Sequence, residues 1–362
     1  MTLADMLEHK RLVVFLGPGG VGKTTVSAAC ALQAARKRET LALTIDPAKR
    51  LADAMGVRLG SKDARVQGKL SAAMLDTKQA LDELVTKYAP DPDVLKRILA
   101  SPFYSELSAA FAGSEEFVAS GTLYEYLESR AFECIVVDTP PSKHALDFLE
   151  VPERLTRVFD SGAVQWLFKP SRLLRVAGGR AAGLLARWTS QQYLEDVAEF
   201  FLQFDRMFLD MEQRVRGMRG ILTDPTQTGI AIVCAPEPAS LATAAVFHDQ
   251  LTRRLRLPVD AIVVNRVLPD PPRDPGMTAE EFEALFRAAL LAEPELAPFA
   301  SDLAAGLVRS SELYRAQAQF QQEAIRNLAR QVACEVVQVP AFAPSVSSLE
   351  GLERLRAGMF GP

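Results

Sequence analysis

The segment LVVFLGPGGVGKTTVSAACALQAARKR, residues 12–38, limits the fold more than any other part of this chain. Five apolar residues, Leu12–Leu16, run straight into a loop with glycines at 17, 19, 20 and 22, and the pattern from Thr25 to Arg38 is helical. A short apolar run without alternation reads as a strand buried on both faces, and a strand that feeds a helix this directly opens a βαβ unit. Such units assemble into a mostly parallel, doubly wound sheet with helices on both faces. The loop matches Gly-x-x-x-x-Gly-Lys-[Ser/Thr] in the strand-to-helix context that this spacing requires. Its glycines let successive N–H groups turn inward around an anion, and the helix start adds its positive end. Gly19, Gly20, Val21, Gly22, Lys23, Thr24 and Thr25 are therefore the candidate contacts to the phosphates of ATP or ADP. Lys23 is expected to reach the β- and γ-phosphates, and the Thr24 hydroxyl to ligate Mg²⁺.

Further apolar runs at Leu41–Ile45, Cys134–Val137, Gly229–Cys234, Ala261–Val264 and Cys334–Val339, with another strand near Leu70–Leu75, continue the series. Helical stretches at Ser240–Leu255 and Thr278–Ala292 fall between them. Two stretches interrupt the alternation. Lys78–Arg130 reads as largely helical with a proline-rich turn at Pro90–Pro92, and Glu153–Met218 as several helices without a strand. The chain has 362 residues, and single cores seldom exceed about 250–300. The expected organisation is an ATPase core over 1–150 and 225–362 with a helical insertion at 151–224.

Two further strand ends carry carboxylates to the same edge of the sheet, where ligands of such sheets bind. Asp138, in VVDTPPS, is expected to order the magnesium shell, and Asp46, in TIDPAKRL, to position or deprotonate an attacking water. Asp46, Lys23 and Asp138 are the candidate catalytic residues, and Thr24 and Asp138 the candidate metal ligands. The three histidines, His9, His144 and His248, read as surface or capping residues.

The order of these motifs resembles that of the ATPase family that contains the arsenite-pump ATPase and the targeting factor for tail-anchored membrane proteins. DPAKRL from Asp46 and DTPPSKHALDFL from Asp138 are similar to its two switch segments, and CAPEPASL from Cys234 to the stretch after its next strand. VVNRVLP, Val263–Pro269, is similar to the segment whose asparagine contacts adenine, and VQVPAFAP, Val337–Pro344, to the loop that closes over it. The resemblance thus implies adenine contacts for Asn265, Pro340 and Phe342, and a bacterial member of the family acting as a dimer.

The chain departs from that family in three ways. Pro18 stands where the family's signature lysine reaches across the dimer to the partner's nucleotide. The resemblance then leaves hydrolysis slow, served by another cation such as Lys143, or dependent on a paralogous subunit that keeps the lysine, so both homodimer and heterodimer stay open. The zinc-binding Cys-x-x-Cys is missing: Cys30, Cys134, Cys234 and Cys334 lie singly in apolar segments and read as small buried hydrophobes. Soft metalloids want thiolate clusters, and their absence argues against arsenite transport. The chain also has one nucleotide domain rather than two in tandem.

Ala163–Ser190 holds both tryptophans and five basic residues, with no acidic one. That composition suits an apolar helical client or a membrane surface, and equally suits packing against the helix Tyr193–Val215. A net charge of −4 gives no overall electrostatic pull toward nucleic acid, so any such binding would have to be local, and none is expected. The N-terminus does not read as a signal peptide, and no long uncharged apolar run is found, so the expected location is the cytoplasm, with peripheral attachment to the inner membrane left open. The leading expectation is a Mg-dependent, ATP-hydrolysing conformational switch coupled to the helical insertion. The rivals are a nucleotide-dependent scaffold or holdase with little turnover, and a cell-positioning ATPase.

Overall fold

The computed structural model describes residues 1–45, 50–57, 63–75, 115–139, 142–160, 212–269, 279–293, 295–342 and 348–361, together with residues 86, 210 and 346. Its frame is one eight-stranded sheet: β1 (Leu12–Leu16), β2 (Thr40–Thr44), β3 (Ala64–Gln67), β4 (Leu70–Met74), β5 (Cys134–Asp138), β6 (Thr228–Cys234), β7 (Ala261–Val267) and β8 (Glu335–Pro340). The order is β3-β4-β2-β5-β1-β6-β7-β8. Every neighbouring pair is parallel except β3 with β4. The expected doubly wound α/β architecture is what forms.

The apolar runs become strands because both faces of the sheet are covered. Alternate residues of β1 serve two separate cores: Leu12, Val14 and Leu16 pack on one side, Val13 and Phe15 on the other. The first core is closed by Leu123 of helix Glu115–Ser129, Phe148 of helix Ser142–Asp160, Met218 of helix 212–223, Leu241 of helix Pro238–Asp249 and Leu328 of helix Ala300–Gln331. The second is closed by Met6 of helix Leu3–His9, Leu355 of helix Leu349–Phe360 and the small side chains Ala28, Ala29 and Ala31 of helix Lys23–Ala35. Alanines there let the helix lie close against the sheet, directly behind the loop that precedes it.

Several boundaries shift from the sequence reading. The helix placed at Thr25–Arg38 begins at Lys23 and ends at Ala35, and the one placed at Ser240–Leu255 is Pro238–Asp249 continued by a π-helical turn, Gln250–Arg254. β7 runs past Asn265 to Val267. Helix Ser142–Asp160 passes without a break through the expected boundary at 150/151, and helix 212–223 lays Val215, Met218, Ile221 and Leu222 into the buried interior. Helix Leu3–His9, strand β3 and helix Ala300–Gln331 have no counterpart in the sequence reading. Asp46 and the segment Ala163–Ser190 lie outside the described residues, as do Pro90–Pro92 and most of the helical stretch placed around them. Among the described residues no helix is long and apolar enough to cross a membrane.

Candidate functional site

The chain leaves β1 into the glycine loop at the carboxyl end of the central strands. Gly17 has φ 151°, and a Cβ there would lie 2.1 Å from the carbonyl oxygen of Val233 in β6, so a side chain is barred by both conformation and space. Gly22, at φ 91°, forms the N-terminal boundary of helix Lys23–Ala35, and no side chain caps that end. The first N–H groups of the helix thus face the loop without a competing cap, as an anion site requires.

Lys23 is buried at 7% exposure. Its Nζ donates to the carbonyl oxygens of Gly17 and Pro18, each at 3.0 Å, so the ammonium arches back over its own loop. Thr24, in the first turn, donates from Oγ1 to Asp138 Oδ2 at 2.6 Å. Asp138 ends β5, opposite Phe15 of β1 and Thr44 of β2, and is 2% exposed. Thr44 Oγ1 donates to the same carboxylate oxygen at 3.4 Å, and the Asp138 carbonyl accepts from Ile45 N at 3.0 Å. Thr139 Oγ1 closes the corner by donating to the Phe15 carbonyl at 2.8 Å. Lys23, Thr24 and Asp138 are therefore brought together as the sequence implied. The chain is described up to Ile45, one residue short of Asp46.

The residues implicated for adenine lie along the same edge. Asn265, 7% exposed, donates from Nδ2 to the Val21 carbonyl at 2.8 Å and accepts the N–H of Arg266 on Oδ1 at 3.0 Å. It is thus engaged with the phosphate loop itself. Pro340 ends β8 opposite Val267, and Phe342, 37% exposed, lies over Gly358 of the last helix, where a Cβ would come within 3.0 Å of its ring. Two residues gain a place at the site that sequence reasoning did not give them. Thr44 is legible only once β2 and β5 are known to be neighbours. Arg266, exposed at the end of β7, donates from Nη1 to the Gly20 carbonyl at 3.2 Å.

The chemistry of the donor set fits a magnesium-bound triphosphate. A hydroxyl and a carboxylate in contact, Thr24 and Asp138, are the hard oxygen ligands that Mg²⁺ takes together with phosphate oxygens. At Gly20, φ 78°, an added Cβ would meet nothing within 4 Å, so the loop is open there.

The cysteines carry no such chemistry. Cys30, Cys134 and Cys234 are buried and Cys334 is half-buried, all four as free thiols. Burial pushes the thiols of Cys134 and Cys334 up to about 11 and that of Cys234 to about 12. No group of three or more His, Cys, Asp or Glu side chains suited to a metal ion occurs among the described residues.

Comparison with known proteins gives a consistent result. The family of anion-transporting ATPases matches residues 10–286 of the chain. The ATPase GET3 of Malassezia globosa is 28% identical over 290 residues, covering 75% of this chain and 77% of its own. The corresponding ATPase of Schizosaccharomyces japonicus is 28% identical over 288 residues, covering 75% and 79%. That of Pyrenophora tritici-repentis is 29% identical over 279 residues, covering 74% and 77%.

Proposed function

The chain belongs to the anion-transporting ATPase family, and from that premise we propose that it is a magnesium-dependent, dimeric conformational switch. In this reading ATP binding and hydrolysis are coupled to the arrangement of a helical subdomain. That it is an ATPase follows from the family and from relatives named as ATPases. The observation that carries the finer reading is the contact of Thr24 with Asp138 at 2.6 Å, beneath a glycine loop whose lysine is already turned onto it.

Binding ATP exchanges these contacts. Lys23 would leave the Gly17 and Pro18 carbonyls for the β- and γ-phosphates, and Thr24 and Asp138 would be the residues that hold the metal. Thr24 and Asp138 would hold magnesium there, and the ion would supply charge neutralisation for the phosphates. Asp46, two residues beyond Thr44, aligns the attacking water or takes its proton. The core would hold the nucleotide between two subunits. The helical insertion, through Ala163–Ser190, would present the face for an apolar helical client or partner. The setting would be the cytoplasm.

One observation favours a second reading. Pro18 offers no charge to a partner's nucleotide, so the chain could act as a nucleotide-dependent scaffold with little turnover. Phosphate release from ATP by the purified chain, with magnesium and with EDTA, separates the two. Steady magnesium-dependent release that Lys23→Ala abolishes and Asp138→Asn lowers by at least tenfold supports the switch. Release unchanged by Lys23→Ala would sink it, and binding without release leaves the scaffold.

A further inference from the structure

β7 does not finish as a regular strand. Its register with β8 holds to Val264 opposite Gln338 and resumes at Val267 opposite Pro340, so β7 advances three residues where β8 advances two. Asn265 and Arg266 are the residues inside this bulge, a device that re-aims side chains next to active sites. Arg266 has φ 62°, a left-handed backbone unusual for a long side chain, yet that side chain is exposed and no core packing fixes it there. In a regular strand neighbouring side chains point to opposite faces. Here both reach the same loop, Asn265 Nδ2 at the Val21 carbonyl and Arg266 Nη1 at the Gly20 carbonyl.

We propose that the Asn265–Arg266 corner braces the phosphate loop, with Arg266 as a positioning residue for the β-phosphate of ATP and ADP. The proposal rests on the reading of this loop as a nucleotide site. In a trans peptide the C=O of one residue and the N–H of the next point in opposite directions. Holding the Gly20 and Val21 carbonyls toward β7 therefore turns the N–H groups of Val21 and Gly22 away from it. In the strand order that direction leads to the side of β1 on which β5 carries Asp138. These two amides belong to the backbone run that cradles the inner phosphates in a loop of this spacing. The guanidinium acts on the outer side of the loop, so its effect reaches ADP and ATP alike. It is distinct from a cation placed on the γ-phosphate.

The test uses the full chain with Arg266→Ala, Arg266→Lys and Arg266→Gly, titrated with fluorescent ADP and ATP analogues in magnesium. Hydrogen exchange of the loop peptide is followed in parallel without nucleotide. Arg266→Ala should weaken both nucleotides by the same factor, about five- to tenfold for one lost hydrogen bond, and speed exchange of the Val21 and Gly22 amides at unchanged melting temperature. Arg266→Lys, which keeps a donor, should restore most of both. Arg266→Gly, which suits the left-handed backbone but lacks the guanidinium, should behave as the alanine variant. Loss of ATP affinity with ADP unaffected would move the guanidinium to the γ-phosphate and overturn the brace. So would a glycine variant equal to the unmodified chain, or an alanine variant without effect. If the unmodified chain binds neither nucleotide, the nucleotide-site reading itself fails and takes this role with it.

Discussion

Alanine at Gly17 and at Gly20 separates space from conformation in the phosphate loop. Both backbones sit at positive φ, 151° and 78°, where a Cβ strains the chain by about 1–3 kcal/mol. The two positions differ in what the new methyl group meets. At Gly20 nothing lies within 4 Å, whereas at Gly17 the Val233 carbonyl oxygen would be 2.1 Å away and its carbon 3.1 Å. Carbon–oxygen contact is comfortable only near about 3.5 Å, so loop and strand would have to part by more than about 1 Å. β6 cannot yield as the tip of a side chain would, because it is paired with β1 on one side and β7 on the other. Overpacking of this kind adds about 1–3 kcal/mol. Gly17→Ala should therefore lose about 2–6 kcal/mol and Gly20→Ala about 1–3 kcal/mol. Urea unfolding followed by circular dichroism without nucleotide reads the difference directly, as a midpoint gap at equal slope. Equal midpoints for the two variants would refute the argument that β6 bars a side chain at Gly17.

Two further outcomes follow from titrating groups. The raised thiols of Cys134 and Cys234 should make alkylation of the native chain at pH 8 slower than that of a free cysteine by roughly two orders of magnitude or more, with half-buried Cys334 labelled before the three buried cysteines; mass spectrometry of timed samples checks the order. Asp224 accepts hydrogen bonds from Gln227 and Thr226, which hold its carboxyl down at about 2. A depressed folded-state value means that its stabilisation is complete above the unfolded value near 3.9 and is lost as the pH falls toward 2. The stability gap between the unmodified chain and Asp224→Asn should accordingly close between pH 4 and pH 2, and a gap independent of pH would contradict this.

Much of the sheet was legible because strands buried on both faces must be apolar throughout. Leu12–Leu16 was bounded to the residue, and the others to within a few. β7 was cut short at Val264 because Asn265 and exposed Arg266 look like a strand's end, and only the bulge allows pairing to resume at Val267. β3 escaped notice because ARVQ, at the sheet edge, alternates between half-buried and exposed residues and has no apolar run. The helix Ala300–Gln331 was hidden for a related reason. It buries Ala300, Ala304, Ala318 and Gln321 before Ile325 and Leu328 while Leu303, Leu307, Leu313 and Phe320 stay exposed, so its large apolar residues do not mark the face that packs. At the site, the placing of Lys23, Thr24 and Asp138 at one edge of the sheet could be read because loop spacing and strand context fix it. Arg266 could not, since its role depends on a backbone irregularity that no local pattern announces.

The contacts around the glycine loop fall into two sets with different fates. Those from β6 and β7, at Gly17, Gly20 and Val21, lie on the loop's outer side and need not change when a phosphate arrives. Those of Lys23 and Thr24 occupy the groups that a phosphate and its metal would claim. A buried ammonium cannot simply wait without acceptors, because an uncompensated charge in the interior is strongly destabilising. The two carbonyls it uses hold it in place at the expense of some nucleotide affinity, since each bond must be exchanged rather than newly made. Pro18 takes part in this exchange. Its side chain brings no charge, but its ring fixes φ and so limits where the backbone carbonyl that accepts from Lys23 can lie. Position 18 thus touches Lys23 within its own chain through a backbone carbonyl, whatever its side chain offers elsewhere. Replacing Pro18 frees its φ but keeps that carbonyl, so the contact with Lys23 should loosen rather than vanish.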